Sequence, residues 1–550
     1  MVTPQGAEPK HPGGGIFWDP AEHNGEGHPR RWAILGVLLV SLLIVVLDNT
    51  VLNIALPTIQ RDLAATPGEL VWAVDAYILA FAALLFTWGV LGDKYGRRRI
   101  LLIGLTLFAI ASAICAFSVN THMLIGFRAV MGVGGAAVLP VTLAIITVVF
   151  PREERGKAIG IWAGAVGGAV ALGPVLGGLL LQHPEWSEWL TGNAWGSVFL
   201  INVPIIAVGI FGIIRVVPET QNPNPKRLDV GGLFVSAVGL FLLVFGIIHA
   251  SEAGTWIDPL VLGPVVAGVG ILTVFVLMEA RSDHPSFDVS LFGNRGFAVS
   301  LAAVSLAFFA LSGIMFTLPF FLQVLRGFDT LQAGLCFIPF AVGQLLAAPR
   351  SAKVVGRFGY RPVMTIGLVA VGGACLGIAA MDVETPLWMI LTVFFAFGFG
   401  MGNVMAPAST LIQNSLPLPQ AGAGSAVQNT VRQVGGALGV AVIGTLLATT
   451  YAAAANETLA DLPDQARVTA STSIVATDVV LDAEIDAGLP ADQAEALRAA
   501  AYQDFLDATQ LTSLISAGIV ALAALIVILF LPAITPPEQL KQKAATDPGP

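Results

Sequence analysis

The sequence predicts an all-α membrane protein with fourteen transmembrane helices. Three observations carry this expectation. Hydrophobic residues make up 55% of the 550 residues and charged residues only 11%, against about 25% charged in a soluble domain, so a globular surface would go uncovered. Apolar runs recur along the chain, each long enough at about 1.5 Å per residue to cross a hydrocarbon core of about 30 Å. The basic residues gather in alternate loops between those runs. Sixty glycines and 33 prolines would mean disorder in a polar chain, but both are common in membrane helices that pack closely.

Residues 1–31 form a polar tail, read as a disordered cytoplasmic arm. The apolar run that begins at Trp32 is too long for a signal peptide and is read as a retained first span. Spans follow near 32–56, 70–91, 100–118, 121–149, 157–182, 197–217, 228–250, 258–279, 296–324, 331–350, 362–381, 385–411, 422–448 and 510–532. The expected organisation is a six-helix bundle over 32–217, two inserted helices over 228–280, a second six-helix bundle over 296–532, and a cytoplasmic tail over 533–550.

An even number of spans puts both termini on one side, and Lys and Arg indicate which. Lys94, Arg97, Arg98 and Arg99 follow span 2; Arg152, Arg155 and Lys157 follow span 4. Arg215, Lys226 and Arg227 follow span 6, Arg281 and Arg295 span 8, and Arg350, Lys353, Arg357 and Arg361 span 10. The opposite loops hold only Arg61, Arg326, Arg467 and Arg498. Basic loops stay in the cytoplasm, so the termini are expected inside a cell-membrane protein. On the outer side, residues 449–509 are Ala-rich and acidic. One or two helices are expected there, with Pro490 ahead of a first turn carrying Asp492 and Glu495. A solvated acidic loop and a lid over the outer mouth are both open readings.

Charges inside the spans are few: Asp48, Asp75, Arg128 and Arg432. Each is costly at mid-bilayer, about 2.5–3.5 kcal/mol on insertion scales, and such residues face a cavity or a partner. Low dielectric favours a neutral carboxyl and a neighbouring arginine favours the carboxylate. That competition suits a group that gains and loses a proton in each cycle. Asp48 and Asp75 are therefore the expected proton carriers with Arg128 as their modulator; a static salt bridge is the alternative. Arg128, Gly132 and Gly135 share one helix face. In span 13, Ser425, Asn429, Arg432, Gly436 and Gly439 lie on one line with Gln433 beside it. Asn53, Tyr77, Asn429, Arg432 and Gln433 are the candidates for a substrate cavity. Span 5 carries a small-residue stripe, Gly160, Gly164, Gly167, Ala171, Pro174 and Gly178, which lets another helix approach closely.

Several motifs carry a family resemblance. Gly89, Leu91, Asp93, Gly96, Arg97 and Arg98 match the GxLxDxxGRR turn of the major facilitator superfamily. Leu47 to Pro57 resembles the first-span signature LDxTxxNxALP of its fourteen-helix drug:H+ antiporters. Gly173-Pro174 and Gly177-Gly178 are similar to their GPxxGG motif, with Ala169 where a glycine is usual. Gly356 to Arg361 echoes the first basic turn with glycine in place of Asp93, as repeated halves would. The resemblance implies a major facilitator fold in which two halves rock about a midplane cavity. It also implies a conformational switch in Gly89, Asp93, Gly96, Arg97, Arg98, Gly173, Pro174, Gly177 and Gly178, the basic turn latching the halves on the cytoplasmic side. The implied activity is proton-coupled antiport that exports drugs or antibiotics. A dedicated exporter of one natural product, lipid or siderophore is the alternative. Some relatives that export divalent cations carry an acid in span 10. Leu331 to Ala348 has none, which points to neutral, monovalent or anionic amphiphiles.

Other classes fit poorly. Cys115, Cys336 and Cys375 sit inside apolar spans without metal-ligand spacing, and the seven histidines are scattered. No catalytic residues, metal or cofactor are expected. The chain lacks a P-loop, so ATP is not the expected energy source, and nucleic acid is not an expected partner. The expected partners are a small amphipathic substrate, protons and the lipid bilayer.

Overall fold

The computed structural model describes residues 27–221, 230–253, 257–281, 292–414 and 421–532. The expected tails, apart from a few residues before the first helix, lie outside the described residues, as do Lys226 and Arg227.

The described chain is helical throughout its expected spans. A first group comprises α1 (Arg31–Leu63), α2 (Pro67–Tyr95), α3 (Arg97–Ala116), α4 (Thr121–Gly135) continued by α5 (Val138–Val149), α6 (Arg152–Gln182), the one-turn pieces α7 (Glu188–Thr191) and α8 (Ser197–Leu200), and α9 (Asn202–Val216). The pair α10 (Val230–Ala253) and α11 (Pro259–Arg281) follows. A second group comprises α12 (Arg295–Phe320), which runs into a π-helical turn at Phe321–Leu325, then α13 (Thr330–Leu335), α14 (Ile338–Phe358), α15 (Tyr360–Ala379), α16 (Leu387–Asn414) and α17 (Ala421–Thr458). The chain ends in α18 (Asp464–Ala470), α19 (Ile474–Asp486) and α20 (Ala491–Phe530). Twelve helical stretches of the described residues are long and apolar enough to cross a membrane. The other two expected spans coincide with α6 and α10, whose described apolar stretches, Leu172–Gln182 and Phe234–Ile247, are shorter. The count of fourteen is therefore not reached by length and composition alone.

Local chemistry sets the helix starts. Thr66 and Glu69 form a capping box ahead of α2, with Pro67 in its first turn, and Asp329 and Gln332 form another ahead of α13. Asn120 caps α4 through Met123 N at 2.8 Å. Each cap satisfies backbone N–H groups that the first turn leaves open. The α2–α3 and α14–α15 turns each pivot on a glycine in the left-handed region, Gly96 at φ 110° and Gly359 at φ 86°. The internal echo read in the sequence is thus a repeated backbone geometry.

The two groups of helices meet where α6 packs on α13 and α14 and where α2 packs on α17, with a smaller contact of α5 on α17. A Cβ on Gly178 would collide with the carbonyl of Thr330 and come within 2.7 Å of Leu331 Cα; one on Gly334 would strike the backbone of Pro174. Thr330 Oγ1 donates to Gly178 O at 3.1 Å and Gln323 Nε2 to Ile54 O at 3.0 Å, both across the groups. The α10–α11 pair leans on α2, where Phe245 meets Trp72 at 5.5 Å between ring centroids. Trp72 is thus engaged by the α10–α11 pair.

At about 57 and 60 Å for 38 and 40 residues, α17 and α20 exceed the membrane core roughly twofold. Their projecting ends carry α18 and α19. Tyr451 of α17 bonds Thr477 Oγ1 at 2.5 Å, Tyr502 of α20 donates to both oxygens of Asp478 at 3.1 Å, and Arg498 reaches Asp478 at 3.2 Å. The acidic segment is a packed helical cap, with Ile474, Val475 and Leu481 buried. The expected Pro490 start of a helix is present at α20.

Candidate functional site: a buried ion pair and the seam between helix groups

Arg128 and Asp48 form an ion pair, with side-chain exposures of 0% and 1%. Around it, Arg128 Nε donates to Ala73 O at 3.0 Å, and its guanidinium lies 4.5 Å from the Tyr77 ring centroid. The other Asp48 oxygen accepts from Asn202 Nδ2 at 2.9 Å. Asn202 also donates to Ser112 Oγ at 3.0 Å, and Ser112 donates to Phe199 O at 2.9 Å. The network thus draws on α1, α2, α3, α4, α8 and α9.

Glycines make the close packing possible. A Cβ on Gly132 would collide with the Tyr77 carbonyl, and one on Gly135 would approach Tyr77 Oη to 2.9 Å. The helix face expected from Arg128, Gly132 and Gly135 is therefore the face that seats α4 on α2. Tyr77, expected on a cavity wall, is fully buried here and donates to Val45 O at 3.3 Å. Its ring serves Arg128.

Asp75 is separate from this network. It is 0% exposed, and neither carboxyl oxygen has a hydrogen-bond partner. It lies one turn from Val71 on the same face of α2. A Cβ on Gly444 of α17 would come within 2.9 Å of Val71 Cγ2, so this face looks onto the second group of helices.

The GPxxGG stretch has two packing faces. A Cβ on Gly173 would strike Thr50, and one on Gly177 would come within 3.0 Å of Val51 O, both on α1. Gly178 and Pro174 instead face α13. The side-chain surroundings of Gly160, Gly164, Gly167, Ala171 and Ser425 lie outside the described ones.

In the basic turn, Arg97 clasps Asp93 Oδ1 at 2.7 and 3.0 Å. The turn docks onto the end of α9: Arg97 N donates to Thr220 O at 3.0 Å, Arg98 N to Glu219 Oε1 at 3.0 Å, and Arg98 Nη2 to Ile214 O at 2.8 Å. Burial raises the Glu219 carboxyl above its ordinary range, against the opposing backbone N–H groups and Arg99. The expected latch between halves is not made by these bonds, which all stay within the first group of helices.

On α17, Gly435 and Gly439 pack against the backbone of Ser305 and Phe309 on α12. Arg432 lies 5.3 Å from the Phe308 ring centroid, and its Nε is buried without a partner. Asn53, Asn429 and Gln433 are half-buried. The sequence reading missed Asn202, Ser112 and Glu219. Asn202 was signalled only by an amide at the head of an apolar span, and Glu219 by an acid in an otherwise basic loop.

A family model described as Major Facilitator Superfamily matches residues 38–440. The chain belongs to the Major Facilitator Superfamily. Among its relatives in the superfamily, the multidrug efflux pump LfrA of Mycolicibacterium smegmatis is 34% identical over 499 residues, covering 90% of this chain and 96% of that one. The tetracenomycin C resistance and export protein of Streptomyces glaucescens is 32% identical over 420 residues, 76% of each chain. The puromycin resistance protein pur8 of Streptomyces alboniger is 34% identical over 423 residues, 76% of this chain and 82% of that one. A bacterial homologue of the human lysosomal transporter Spinster, solved in an inward-facing, occupied conformation, aligns with a TM-score of 0.62 at 16% identity, over 92% of this chain and 98% of that one. That likeness concerns the fold. As a superfamily member this chain is a multi-pass membrane transporter, and its work is transport rather than catalysis.

Proposed function

We propose that this transporter is a proton-coupled antiporter that exports small amphipathic compounds, drugs or antibiotics among them, by alternating access. The observation that carries this reading is the buried Asp48–Arg128 pair together with a separate, unpaired buried carboxyl at Asp75. The relatives named for multidrug efflux and antibiotic resistance support the substrate class. In this reading the basic end faces the cytoplasm of a plasma-membrane protein and the acidic cap faces outward. The two groups of helices are the two rocking halves, with α10 and α11 inserted between them. The described form is closed on the outer side. An ionised Asp75 would be an uncompensated buried charge, so we assign the protonated acid to this form. Protonating Asp48 weakens its hold on Arg128, and opening of the outer seam hydrates Asp75 and lets its proton leave or enter. Arg432, Asn53, Asn429 and Gln433 contribute to the substrate cavity, and ATP takes no part.

The test is substrate-induced proton movement in proteoliposomes with Asp48→Asn and Asp75→Asn. The expected result is loss of coupled exchange in both. Full drug/proton exchange in both variants would sink the proposal. The tetracenomycin C relative, named for a single compound, favours a dedicated exporter as the second reading. A panel of amphiphiles separates the two: a response to only one chemical type supports the dedicated exporter.

A further inference from the structure

The two copies of the basic turn differ in what balances their charge. In the first, Asp93 pairs with Arg97, while Glu219 accepts from Arg98 N and lies 3.9 Å from Arg99. In the second, glycine stands at the position of Asp93, and nothing takes the part of Glu219. From Gly293 to Asn456 the only acidic residues are Asp329, Asp382 and Glu384. Asp329 precedes α13, and Asp382 and Glu384 follow α15. With 21 and 20 residues in α14 and α15, those acids lie about 30 Å from the second turn.

Four cations remain there: Arg350, Lys353 and Arg357 over the last turns of α14, and Arg361 in the first turn of α15. None of them joins an ion pair among the described residues. Arg350, Lys353 and Arg357 are exposed and fall within about 60° of the helix circumference. One and two turns further into the span, the same stripe carries Leu346 and Val342, 40% and 42% exposed. The other side of α14 is filled: a Cβ on Gly398 or Gly402 of α16 would strike Phe340 or Ala347. The open stripe is therefore apolar within the span and cationic at its end. Arg350 spends one N–H on Leu346 O of its own helix, and Arg357 rests 5.3 Å from the Phe358 ring centroid. Both keep N–H groups to donate outward, since a guanidinium has five.

We propose that this stripe of α14 binds one anionic phospholipid. The phosphate accepts from Arg350, Lys353 and Arg357, Arg361 adds charge at the turn, and an acyl chain lies along Leu346 and Val342. Guanidinium forks match phosphate oxygens, and the apolar part of the stripe selects a lipid over free phosphate. The first basic turn, already balanced by Asp93 and Glu219, lacks this property.

The experiment measures binding of phosphatidylglycerol, fluorescent on its acyl chain, to the full chain in a non-ionic detergent, with phosphatidylcholine of the same chains as the comparison. Phosphatidylglycerol is expected to bind more tightly, and added salt to weaken it. Each cation near an anionic headgroup is worth a factor of about 5. The triple replacement Arg350→Gln, Lys353→Gln and Arg357→Gln should therefore weaken phosphatidylglycerol by about 100-fold and leave phosphatidylcholine unchanged. Arg350→Lys with Arg357→Lys keeps the charge and should retain most of the binding. Arg215→Gln removes a cation from the same end of the first group of helices and should have no effect. Equal binding of the two lipids overturns the proposal, as does phosphatidylglycerol binding unchanged in a triple variant of unchanged melting temperature. A loss in Arg215→Gln equal to that in Arg350→Gln would mean diffuse attraction to the basic end and also overturns it. Full displacement of the lipid by inorganic phosphate would assign the cations to a free anion instead. None of these readouts involves transport, so the site stands or falls separately from the proposed export activity.

Discussion

Gly178→Ala tests the seam between the two groups of helices at a single atom. The added Cβ would meet the Thr330 carbonyl and stand 2.7 Å from Leu331 Cα, which is backbone and cannot swing aside. Overpacking of this kind costs about 1–3 kcal/mol. In the proposed alternating-access cycle the cost falls on the described form, in which α6 packs on α13. It should shift the balance toward the outer-open form by about 5–150-fold, since about 1.4 kcal/mol is a factor of ten. Leu70, 1% exposed on the seam, supplies the readout as Leu70→Cys. The three native cysteines are buried and give a quiet background. A membrane-impermeant maleimide applied from the cap side should label Leu70→Cys faster by that factor when Gly178→Ala is present. Gly173→Ala is the control, because its Cβ strikes Thr50 within the first group of helices; it should lower stability without a matching gain in labelling. An unchanged labelling rate in a folded Gly178→Ala protein would refute the assignment of this glycine to the seam.

Three further outcomes follow from the site. Gly96→Ala forces a non-glycine residue to φ 110° and brings a Cβ within 2.7 Å of Glu219 Oε1. A cost of about 1–3 kcal/mol is expected for such backbone, read as a lower melting temperature. Glu219 itself gives a pH signature. Burial raises its carboxyl in the folded state, so its contribution is fullest below the ordinary carboxylate value near 4.5 and is lost as pH rises through the raised value. The melting temperature of the native chain relative to Glu219→Gln should therefore fall as pH rises from 4, and a flat difference would contradict this. Asp48→Ala leaves Arg128 as an unpaired buried charge and should cost about 3–5 kcal/mol. The double replacement Asp48→Leu with Arg128→Met should recover most of that stability while leaving proton coupling absent, as measured by melting and by proteoliposome flux.

Much of the fold was legible because the bilayer imposes a simple rule, that backbone polar groups be satisfied within helices. Apolar runs therefore announced the helices, and the placement of basic residues announced the alternation of ends. The sequence grouped Asp48, Asp75 and Arg128 together; the structure pairs Arg128 with Asp48 and leaves Asp75 apart. What the sequence did not reveal were contacts that depend on which helices meet. Asn202 lies 154 positions from Asp48, and no local pattern connects them. Tyr77 read as a cavity aromatic because its burial depends on Gly132 and Gly135 of another helix. The docking of the basic turn on Glu219 and Ile214 was not signalled either, because sequence does not specify which helix ends lie beside it.

The position of α2 suggests how the two parts of the site communicate. Ala73 and Tyr77 occupy one of its faces, where the Ala73 carbonyl accepts from Arg128 and the Tyr77 ring lies under the guanidinium. Val71 and Asp75 are two residues from these, about 200° around the helix and so nearly opposite, on the side that meets α17. A helix is stiff along its length, so a change in the hold of Arg128 on α2 must move the seam face as well. Tyr77→Leu isolates this link, because the contacts of Tyr77 at Val45, Phe81, Phe108, Arg128, Gly132 and Gly135 all lie within the first group of helices. The substitution should change the labelling rate of Leu70→Cys although it removes nothing from the seam. A rate identical to that of the parent, in a protein with the ion pair still formed, would show that the ion pair and the seam respond independently.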